Sequence, residues 1–341
     1  MNLKELSQLL GLSQTTISRA LNGYPEVSAA TRERVAQAAR DTGYRPNRAA
    51  QRLATGRSGS IGVVMPIDPG RYSDVHFGEF QAGLAEEAIR HDFHFVITPA
   101  HPHDEEQAIR WMVSSGNVDG YYLAYLRNND SRIPLAQSLG VPFIVHGRST
   151  GIESDFAYLD VDNQAAFYDA TKMLLDLGHK RFALLNGPED LDFAIRRKKG
   201  MIAALAEHGL TMPQNHIYHR EMTDEAGSQC MAELLAQDKP PTAVLCSSTV
   251  LALGAVRAIN VAGLKLGRDI SLIAHDDVLP TLKPENFTVP LTTTRSSLRA
   301  AGIRIAQRLI AMINPAETAP PDHELWKADL VVRASTGPAP D

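Results

Sequence analysis

Cysteines and aromatic side chains are scarce in this chain of 341 residues. It contains 2 cysteines, Cys230 and Cys246, and only 6% of its residues are aromatic. Two cysteines so far apart exclude a disulfide framework and lack the spacing of zinc ligands. This cysteine usage is typical of a protein from a reducing compartment.

Long apolar runs are missing as well. No apolar stretch approaches the roughly 20 residues that a membrane-spanning helix needs, and the N-terminal residues lack the basic and then apolar pattern of an export signal. We therefore expect a cytoplasmic protein with no membrane partner.

The common enzyme motifs are also lacking. We find no nucleophile elbow, phosphate loop, HExxH helix or dinucleotide glycine fingerprint. The densest run of metal-ligand residue types, His101-Pro102-His103-Asp104-Glu105, has no partners at helical spacing and is better interpreted as a solvated loop. We expect no catalytic residues, no metal and no cofactor.

Positive charge is concentrated at the N-terminus. Residues 1–60 contain 9 lysines and arginines against 4 acidic residues, a net charge of +5 in a chain whose overall charge is −5, so the remainder carries −10. A basic segment on an acidic protein indicates a partner such as nucleic acid.

This basic segment has the pattern of three short helices, at Asn2–Leu10, Ser13–Leu21 and Ser28–Thr42. Asn2 and Glu5 match a capping box, and Ser13 is a suitable N-cap for the second helix. A tight turn at Leu10-Gly11-Leu12 joins the first two, which predicts a helix-turn-helix.

The polar face of the second predicted helix carries Gln14, Thr15, Ser18 and Arg19. Glutamine can pair with adenine edges and arginine with guanine, while threonine and serine serve a base or a phosphate. A small helical bundle with a solvated polar face is the alternative interpretation.

From Ser60 onward, short β-rich runs alternate with amphipathic stretches of helical length. Such alternation predicts parallel sheets covered by helices, and its extent suits two doubly wound lobes. The predicted strands are Ile61–Pro66, Phe93–Pro99, Gly120–Ala124, Phe143–His146, Phe182–Asn186, Ala243–Cys246 and Ile270–Ala274, and the helices include Phe77–His91, Glu105–Ser115, Asn163–Leu177 and Arg196–His208.

The N-terminal segment closely resembles the LacI/GalR family of bacterial repressors. The similarity rests on Leu3-Lys4-Glu5-Leu6, on Thr16-Ile17-Ser18-Arg19-Ala20-Leu21-Asn22, on Val27-Ser28 and Thr31-Arg32, and on Gly43-Tyr44-Arg45-Pro46-Asn47. It implies that Gln14, Thr15 and Arg19 read bases. It further implies that Ser13, Thr16, Asn22 and Thr31 mostly hold phosphates, which set register rather than sequence.

The resemblance continues through residues 47–56, Asn47-Arg48-Ala49-Ala50-Gln51-Arg52-Leu53-Ala54-Thr55-Gly56, where the family has a hinge helix. A helix this short is marginal alone in water, so it should form when two copies meet on DNA. Asn47 and Arg48 are then DNA contacts, and Leu53 wedges into the minor groove at the operator centre.

The family implies an all-α helix-turn-helix headpiece followed by a type I periplasmic-binding-protein-like core of two α/β lobes. We expect the headpiece at residues 1–45, the hinge helix and linker at 46–59, and the effector-binding and dimerisation core at 60–341. We place the N-lobe at about 60–160 and 293–323, and the C-lobe at about 161–292 and 324–334.

The resemblance also nominates effector contacts in the cleft between the lobes. Arg197, three residues before Gly200, matches an arginine that grips sugar hydroxyls or a carboxylate, and Asp276 matches an acid that accepts from ligand hydroxyls. Ser248 stands where many members have a sugar-binding amide. Further predicted contacts are His76, Phe77, Arg148 and Met222.

Several short segments, among them Cys246-Ser247-Ser248-Thr249, resemble the corresponding segments of the α-glucoside-utilisation repressors of α-proteobacteria. The expected function is that of a homodimeric repressor of carbohydrate-utilisation genes, which binds operator DNA and releases it when a small sugar binds. The alternatives are a regulator that responds to a purine or another metabolite, and a sugar-binding or enzyme module with a vestigial headpiece. The sign of the response stays open.

Overall fold

The computed structural model describes residues 1–21, 23–44, 56–67, 74–152, 155–276, 278–314 and 323–340. The chain divides into two compact units, Met1–Ser58 and Gly59–Asp341. Within the described ranges, no helix combines the length and the apolar character that crossing a bilayer requires.

The described residues of the first unit form three helices, α1 (Leu3–Leu10), α2 (Gln14–Leu21) and α3 (Ala29–Thr42). The predicted capping box is confirmed, because the Asn2 side chain accepts from the Glu5 amide and the Glu5 side chain accepts from the Asn2 amide. Gly11 ends α1 in the left-handed conformation, with φ 63°. The helices enclose an apolar core formed by Leu6, Leu10, Ile17, Ala20, Val27, Val35, Ala39 and Tyr44.

The second unit begins with a parallel sheet, called here the first sheet. Its strands lie in the order β11-β5-β4-β3-β1-β2. They are β1 (Ser60–Pro66), β2 (His94–Ala100), β3 (Gly120–Leu123), β4 (Phe143–His146), β5 (Tyr158–Val161) and β11 (His323–Trp326). The helices α4 (Val75–Arg90) and α11 (Leu298–Ile313) pack on one face, and α5 (Glu105–Ser114) and α6 (Arg132–Ser138) pack on the other.

The second sheet repeats this plan with the strand order β12-β10-β9-β8-β6-β7. Among the described strands of this sheet, the β10–β12 pairing is antiparallel and the others are parallel. Its strands are β6 (Phe182–Asn186), β7 (Ile217–His219), β8 (Ala243–Cys246), β9 (Ser271–Asp276), β10 (Thr292–Arg295) and β12 (Asp329–Val331). The helices α9 (Asp224–Leu235) and α10 (Thr249–Val261) cover one face, and α7 (Asn163–Asp176) and α8 (Asp192–Glu207) cover the other. Short 3-10 turns lie at Gln214–His216 and Pro284–Asn286.

The chain passes between the two sheets after β5, after β10 and after β11. The predicted lobe boundaries near residues 293 and 324 therefore need correction by about three residues each. Thr292–Arg295 pairs with Ile273–Asp276 and stays in the second sheet, while His323–Trp326 pairs with Tyr158–Val161 and stays in the first. Register with a neighbouring strand, which one sequence does not display, decides where such short strands belong.

Both sheets turn the carboxyl ends of their parallel strands toward the cleft between the lobes. In open α/β sheets, ligands bind at that edge, where the loops that follow the strands meet. We therefore expect the effector site to lie in the cleft.

Candidate DNA-reading surface and effector cavity

The proposed base-reading side chains share one face of α2. Gln14, Thr15 and Arg19 are exposed, whereas Ile17 and Ala20 on the opposite face are buried against the headpiece core. Thr15 and Arg19 are four residues apart and therefore neighbours on the helix surface, and Gln14 is exposed beside them, so all three can enter a major groove without disturbing the core.

The hydroxyls predicted to contact phosphates, those of Ser13, Thr16 and Thr31, lie at capped helix starts. The Ser13 hydroxyl accepts from the Thr16 amide at 3.0 Å and shares a hydrogen bond of 2.8 Å with the Thr16 hydroxyl. Ser28 does the same for Thr31, at 3.2 and 2.9 Å. The caps hold these hydroxyls at the N-termini of α2 and α3, where free backbone N–H groups favour an anion.

Four predicted DNA contacts, Asn22, Asn47, Arg48 and Leu53, lie outside the described residues. The predicted hinge helix falls there as well. Its wedge role stays a prediction.

In the core, both lobes line one cavity of about 130 Å³ in the cleft. Its wall draws on loops that follow strands of each sheet and on the first turns of α4 and α8. Five predicted effector residues lie in this wall, namely His76, Phe77, Arg148, Arg197 and Met222.

Arg197 is held rigidly at the cavity. Its side chain is 5% exposed, its Nε donates to Asn163 Oδ1 at 2.7 Å and its Nη1 donates to the Ser247 carbonyl at 2.6 Å. The guanidinium carbon lies 5.2 Å from the Phe167 ring centre and 4.8 Å from that of Phe193. Stacked and hydrogen-bonded in this way, the cation is oriented before any ligand arrives.

A close helix crossing makes this arrangement possible. A Cβ on Gly200, one turn after Arg197, would lie 2.0 Å from the backbone oxygen of Gln164. Glycine therefore lets α8 approach α7 closely enough for Arg197 to reach Asn163 at the start of α7. The three-residue spacing between Arg197 and Gly200 in the sequence therefore reflects the close packing of α8 on α7.

Arg148 is the second arginine that lines the cavity. Its Nε donates to Asp160 Oδ2 at 2.7 Å, and the Asp160 side chain is buried. Burial raises the pKa of the Asp160 carboxyl, and the charge of Arg148 opposes that rise.

The N-lobe also supplies aromatic faces. The Tyr125 and Phe77 rings lie 6.5 Å apart, centre to centre, and the Tyr125 hydroxyl donates to Asp74 Oδ2 at 2.8 Å. Asp74 Oδ1 also lies 2.8 Å from Nδ1 of His76. Tyr125 adopts φ 53°, an unusual conformation for a tyrosine, which the fold maintains at the cavity.

The structure places two predicted effector residues just outside the wall. Strand β9 extends through Asp276, whose carboxylate accepts from the Val278 amide at 2.8 Å and lies 3.6 Å from Arg295 Nε. Ser248 caps α10 by accepting from the Leu251 amide at 3.1 Å. Their neighbours His275 and Ser247 line the cavity instead.

Sequence reasoning missed several wall residues. Tyr125, Asp160, Asn163, Asp192, Phe193 and Ser296 all line the cavity. Each lies at or just after the end of a strand or in the first turn of a helix, and that position was the one signal available.

Glu105 is the last residue of the segment predicted to be a solvated loop. In the structure its carboxylate forms ion pairs with Arg132 and Arg127.

Comparison with known proteins supports this two-part architecture. A family model described as bacterial regulatory proteins, lacI family, matches residues 2–47, and a periplasmic binding protein-like domain matches residues 171–336. The HTH-type transcriptional regulator AglR of Rhizobium meliloti (strain 1021) is 65% identical over 341 residues, which is 100% of this chain and 95% of that protein.

The chain belongs to the LacI family. This LacI-family member is a DNA-binding transcriptional regulator, and the predicted fold, a helix-turn-helix headpiece with a two-lobed α/β core, is confirmed.

Solved structures of LacI-family proteins agree with this assignment. The Lac repressor dimer bound to operator and the anti-inducer ONPF has a TM-score of 0.84 and 25% identity, covering 99% of each chain. The CelR–cellobiose complex has a TM-score of 0.72 and 26% identity, covering 98% of this chain and 99% of that one.

Proposed function

We propose that this LacI-family regulator represses carbohydrate-utilisation genes and leaves its operator when a neutral sugar of the α-glucoside type binds in the cleft. The observation that carries the proposal is the charge balance of the cavity wall. Two guanidinium groups, of Arg148 and Arg197, and two carboxylates, of Asp160 and Asp192, line this small cavity together.

A balanced wall of this kind favours a neutral, hydroxyl-rich ligand. Among the side chains that line the cavity, no surplus cation would match the added charge of a sugar acid or a phosphate, and burying such a charge is costly. Sugar hydroxyls both donate and accept, so they can satisfy guanidinium, carboxylate and imidazole groups together. The rings of Phe77, Tyr125 and Phe193 offer apolar faces for the C–H face of a pyranose.

Two comparisons support this ligand class. The resemblance to α-glucoside-utilisation repressors agrees with 65% identity to AglR. CelR, which shares the fold of this chain, has been solved with cellobiose, a disaccharide of glucose.

The mechanism we propose needs two copies of the chain. In a homodimer each α2 takes one half-site of a near-palindromic operator, as the dimeric Lac repressor complex illustrates for a relative. A sugar that binds one lobe arrangement more tightly shifts the population toward it, and DNA affinity falls if that arrangement separates the hinge segments. A regulator of this kind acts on DNA in the cytoplasm.

A nucleoside effector is the second candidate, since the same three aromatic rings could stack on a base. The two candidates differ in which hydrogen bonds they need. A sugar uses the Arg and Asp groups through its hydroxyls, whereas a base depends mainly on the rings.

The experiment is a thermal-shift and calorimetric panel on the full-length protein with maltose, trehalose, sucrose, cellobiose, glucuronate and adenosine. We expect stabilisation by at least one α-linked disaccharide and none by glucuronate. That disaccharide should also release a duplex selected in vitro for tight binding. Stabilisation by adenosine alone would overturn the sugar assignment.

Matched variants on α8 locate the site. Arg197→Ala should abolish the response to the sugar and leave DNA binding intact. Lys199→Ala, which removes an exposed charge two residues away, should change neither. An undiminished sugar response in Arg197→Ala would remove Arg197 from the effector site.

A further inference from the structure

Two segments from opposite lobes pair across the cleft beside the cavity. Arg127 and Leu191 form an antiparallel bridge. The Asp192 amide donates to the Leu126 carbonyl at 2.8 Å, and the Asn128 amide donates to the Asp190 carbonyl at 3.3 Å. We call residues 126–128 together with residues 190–192 the inter-lobe strap.

Side chains reinforce the strap from both lobes. Asp192 Oδ1 accepts from the Thr150 amide at 2.7 Å and from the Thr150 hydroxyl at 2.6 Å, while Asp192 Oδ2 pairs with Arg196 Nε. Arg196 Nη2 in turn donates to the Thr150 hydroxyl at 3.3 Å, and Arg127 Nε donates to Asp190 Oδ2 at 3.3 Å. Asp192, which is 2% exposed, is therefore the centre of the contacts.

A buried ion cluster fixes the N-lobe half of the strap. Arg132 donates from Nη1 to Glu105 at 2.6 Å and from Nη2 to Asp130 at 2.7 Å, and all three side chains are buried. Asp130 Oδ2 also accepts from the Arg127 amide at 2.9 Å, and Arg132 Nη2 donates to the Tyr125 carbonyl at 3.0 Å. Buried ions are costly unless they are fully bonded, and here their bonds hold this loop in place.

The strap lies away from the connections between the lobes. The chain crosses from lobe to lobe after β5, β10 and β11, which occupy the same side of their sheets. The two halves of the strap follow β3 and β6, farther toward the other side. It is therefore a second, non-covalent closure of the cleft.

The strap is also part of the cavity wall. Its residues Leu126 and Asp192 line the cavity, whose volume of about 130 Å³ is small beside the roughly 300–1,000 Å³ usual for ligand sites. A disaccharide needs more room than this cavity offers, so the wall must open to admit it, and parting the lobes at this side breaks the strap bonds.

We propose that the inter-lobe strap gates effector exchange and that Asp192 is its positioning residue, which links the gate to the cavity wall. This inference rests on the proposed function for the identity of the ligand. The strap itself can be tested without a ligand.

The test without a ligand is amide hydrogen exchange in Thr150→Val. This change removes the two hydroxyl bonds that Thr150 makes across the cleft, to Asp192 and from Arg196, so exchange at Asn128 and Asp192 should accelerate about fivefold. The matched control is Thr171→Val, whose hydroxyl donates to the Phe167 carbonyl inside one helix of the C-lobe. Equal exchange at these two amides in both variants would overturn the strap.

The test with a ligand is a reversible lock, Arg127→Cys with Leu191→Cys. The flanking hydrogen bonds make this a non-hydrogen-bonded antiparallel pair, with Cα atoms about 4.5 Å apart, which suits a disulfide. The native Cys230 and Cys246 are both buried, and burial raises the pKa of both thiols, so they should not compete.

Stopped-flow binding of maltose is measured on this one protein before and after reduction. Oxidation should slow maltose association and dissociation at least tenfold, and reduction should restore both rates. Thr150→Val should speed both rates with little change in affinity. Equal rates in the oxidised and reduced protein would refute the gate. If maltose does not bind the reduced protein, its choice as ligand fails, and the exchange experiment still decides the strap.

Discussion

In the N-terminal unit the side chains proposed to read DNA lie on one helix of 8 residues, whereas the cavity wall of the core draws on segments from His76 to Leu298. The reading face of α2 is exposed and contributes little to the core beneath it. The cavity residues are mostly buried, and their orientation depends on the packing of helices from distant parts of the chain. Changes in packing should therefore damage the cavity, while changes in reading residues should leave the headpiece folded.

The largest expected effect is that of Gly200→Ala. The new methyl group would meet the backbone oxygen of Gln164, which cannot rotate away, so the core should lose about 3 kcal/mol of unfolding free energy. Urea unfolding followed by circular dichroism measures the loss. Ala206→Ser, on the exposed face of the same helix, is the control. A core of unchanged stability would show that α7 and α8 are not so closely packed.

The second prediction concerns DNA. Arg19→Ala should weaken operator binding by about 1–3 kcal/mol and leave sugar affinity unchanged, because a base-reading guanidinium is lost from an exposed face. Arg40→Ala removes the same charge from the same unit, where the arginine pairs at the surface with Glu33, and should cost little. Fluorescence anisotropy on one duplex at fixed salt compares the two. Equal losses would mean that Arg19 contributes only its charge.

The third prediction returns to stability, now in the headpiece. Gly11 has φ 63°, and a Cβ added there would have no atom within 4 Å, so Gly11→Ala should cost only the left-handed backbone strain, about 1–2 kcal/mol. Gly11→Asn should cost less, since asparagine tolerates this conformation. Thermal unfolding of the headpiece signal would detect both. If Gly11→Ala lost as much unfolding free energy as Gly200→Ala, the headpiece would depend on close packing as much as the core does.

The smallest effect expected is one of pH. All 12 histidines lie in the core unit. Burial lowers the pKa of His179, whose ring hydrogen-bonds Thr242 at 2.9 Å and Ser271 at 3.0 Å. The unfolded chain binds a proton near pH 6.5 while the folded core does not, so core stability should fall as the pH drops below that value.

Urea midpoints between pH 7.5 and 5.5 measure this dependence. The slope should shrink in His179→Gln and persist in His323→Gln, which changes an exposed histidine. A slope unaltered by His179→Gln would assign the acid sensitivity to other groups.

Local sequence signals were enough for the headpiece. Asn2 with Glu5, Ser13 and Gly11 mark helix ends through bonds within a few residues, and the structure begins and ends α1 and α2 accordingly. The same holds for buried strands of the core such as Phe143–His146 and Ala243–Cys246, which the apolar runs predicted to the residue.

Element ends and site residues that depend on contacts with distant parts of the chain could not be predicted from local sequence signals. The extension of β9 through Asp276 depends on pairing with Arg295, and the start of α8 at Asp192, four residues before the predicted Arg196, coincides with contacts to the other lobe. The same reason explains why Asp160, Asn163 and Tyr125 were missed. Their role appears only when strands from separate parts of the chain bring them to one cavity.

The most direct test of the account measures operator affinity with and without the sugar that stabilises the protein, and then sugar affinity with and without operator. Linkage requires the two ratios to be equal. We predict that the sugar weakens operator binding and that operator weakens sugar binding by the same factor. Operator affinity that is unchanged by saturating sugar would contradict the proposed switch.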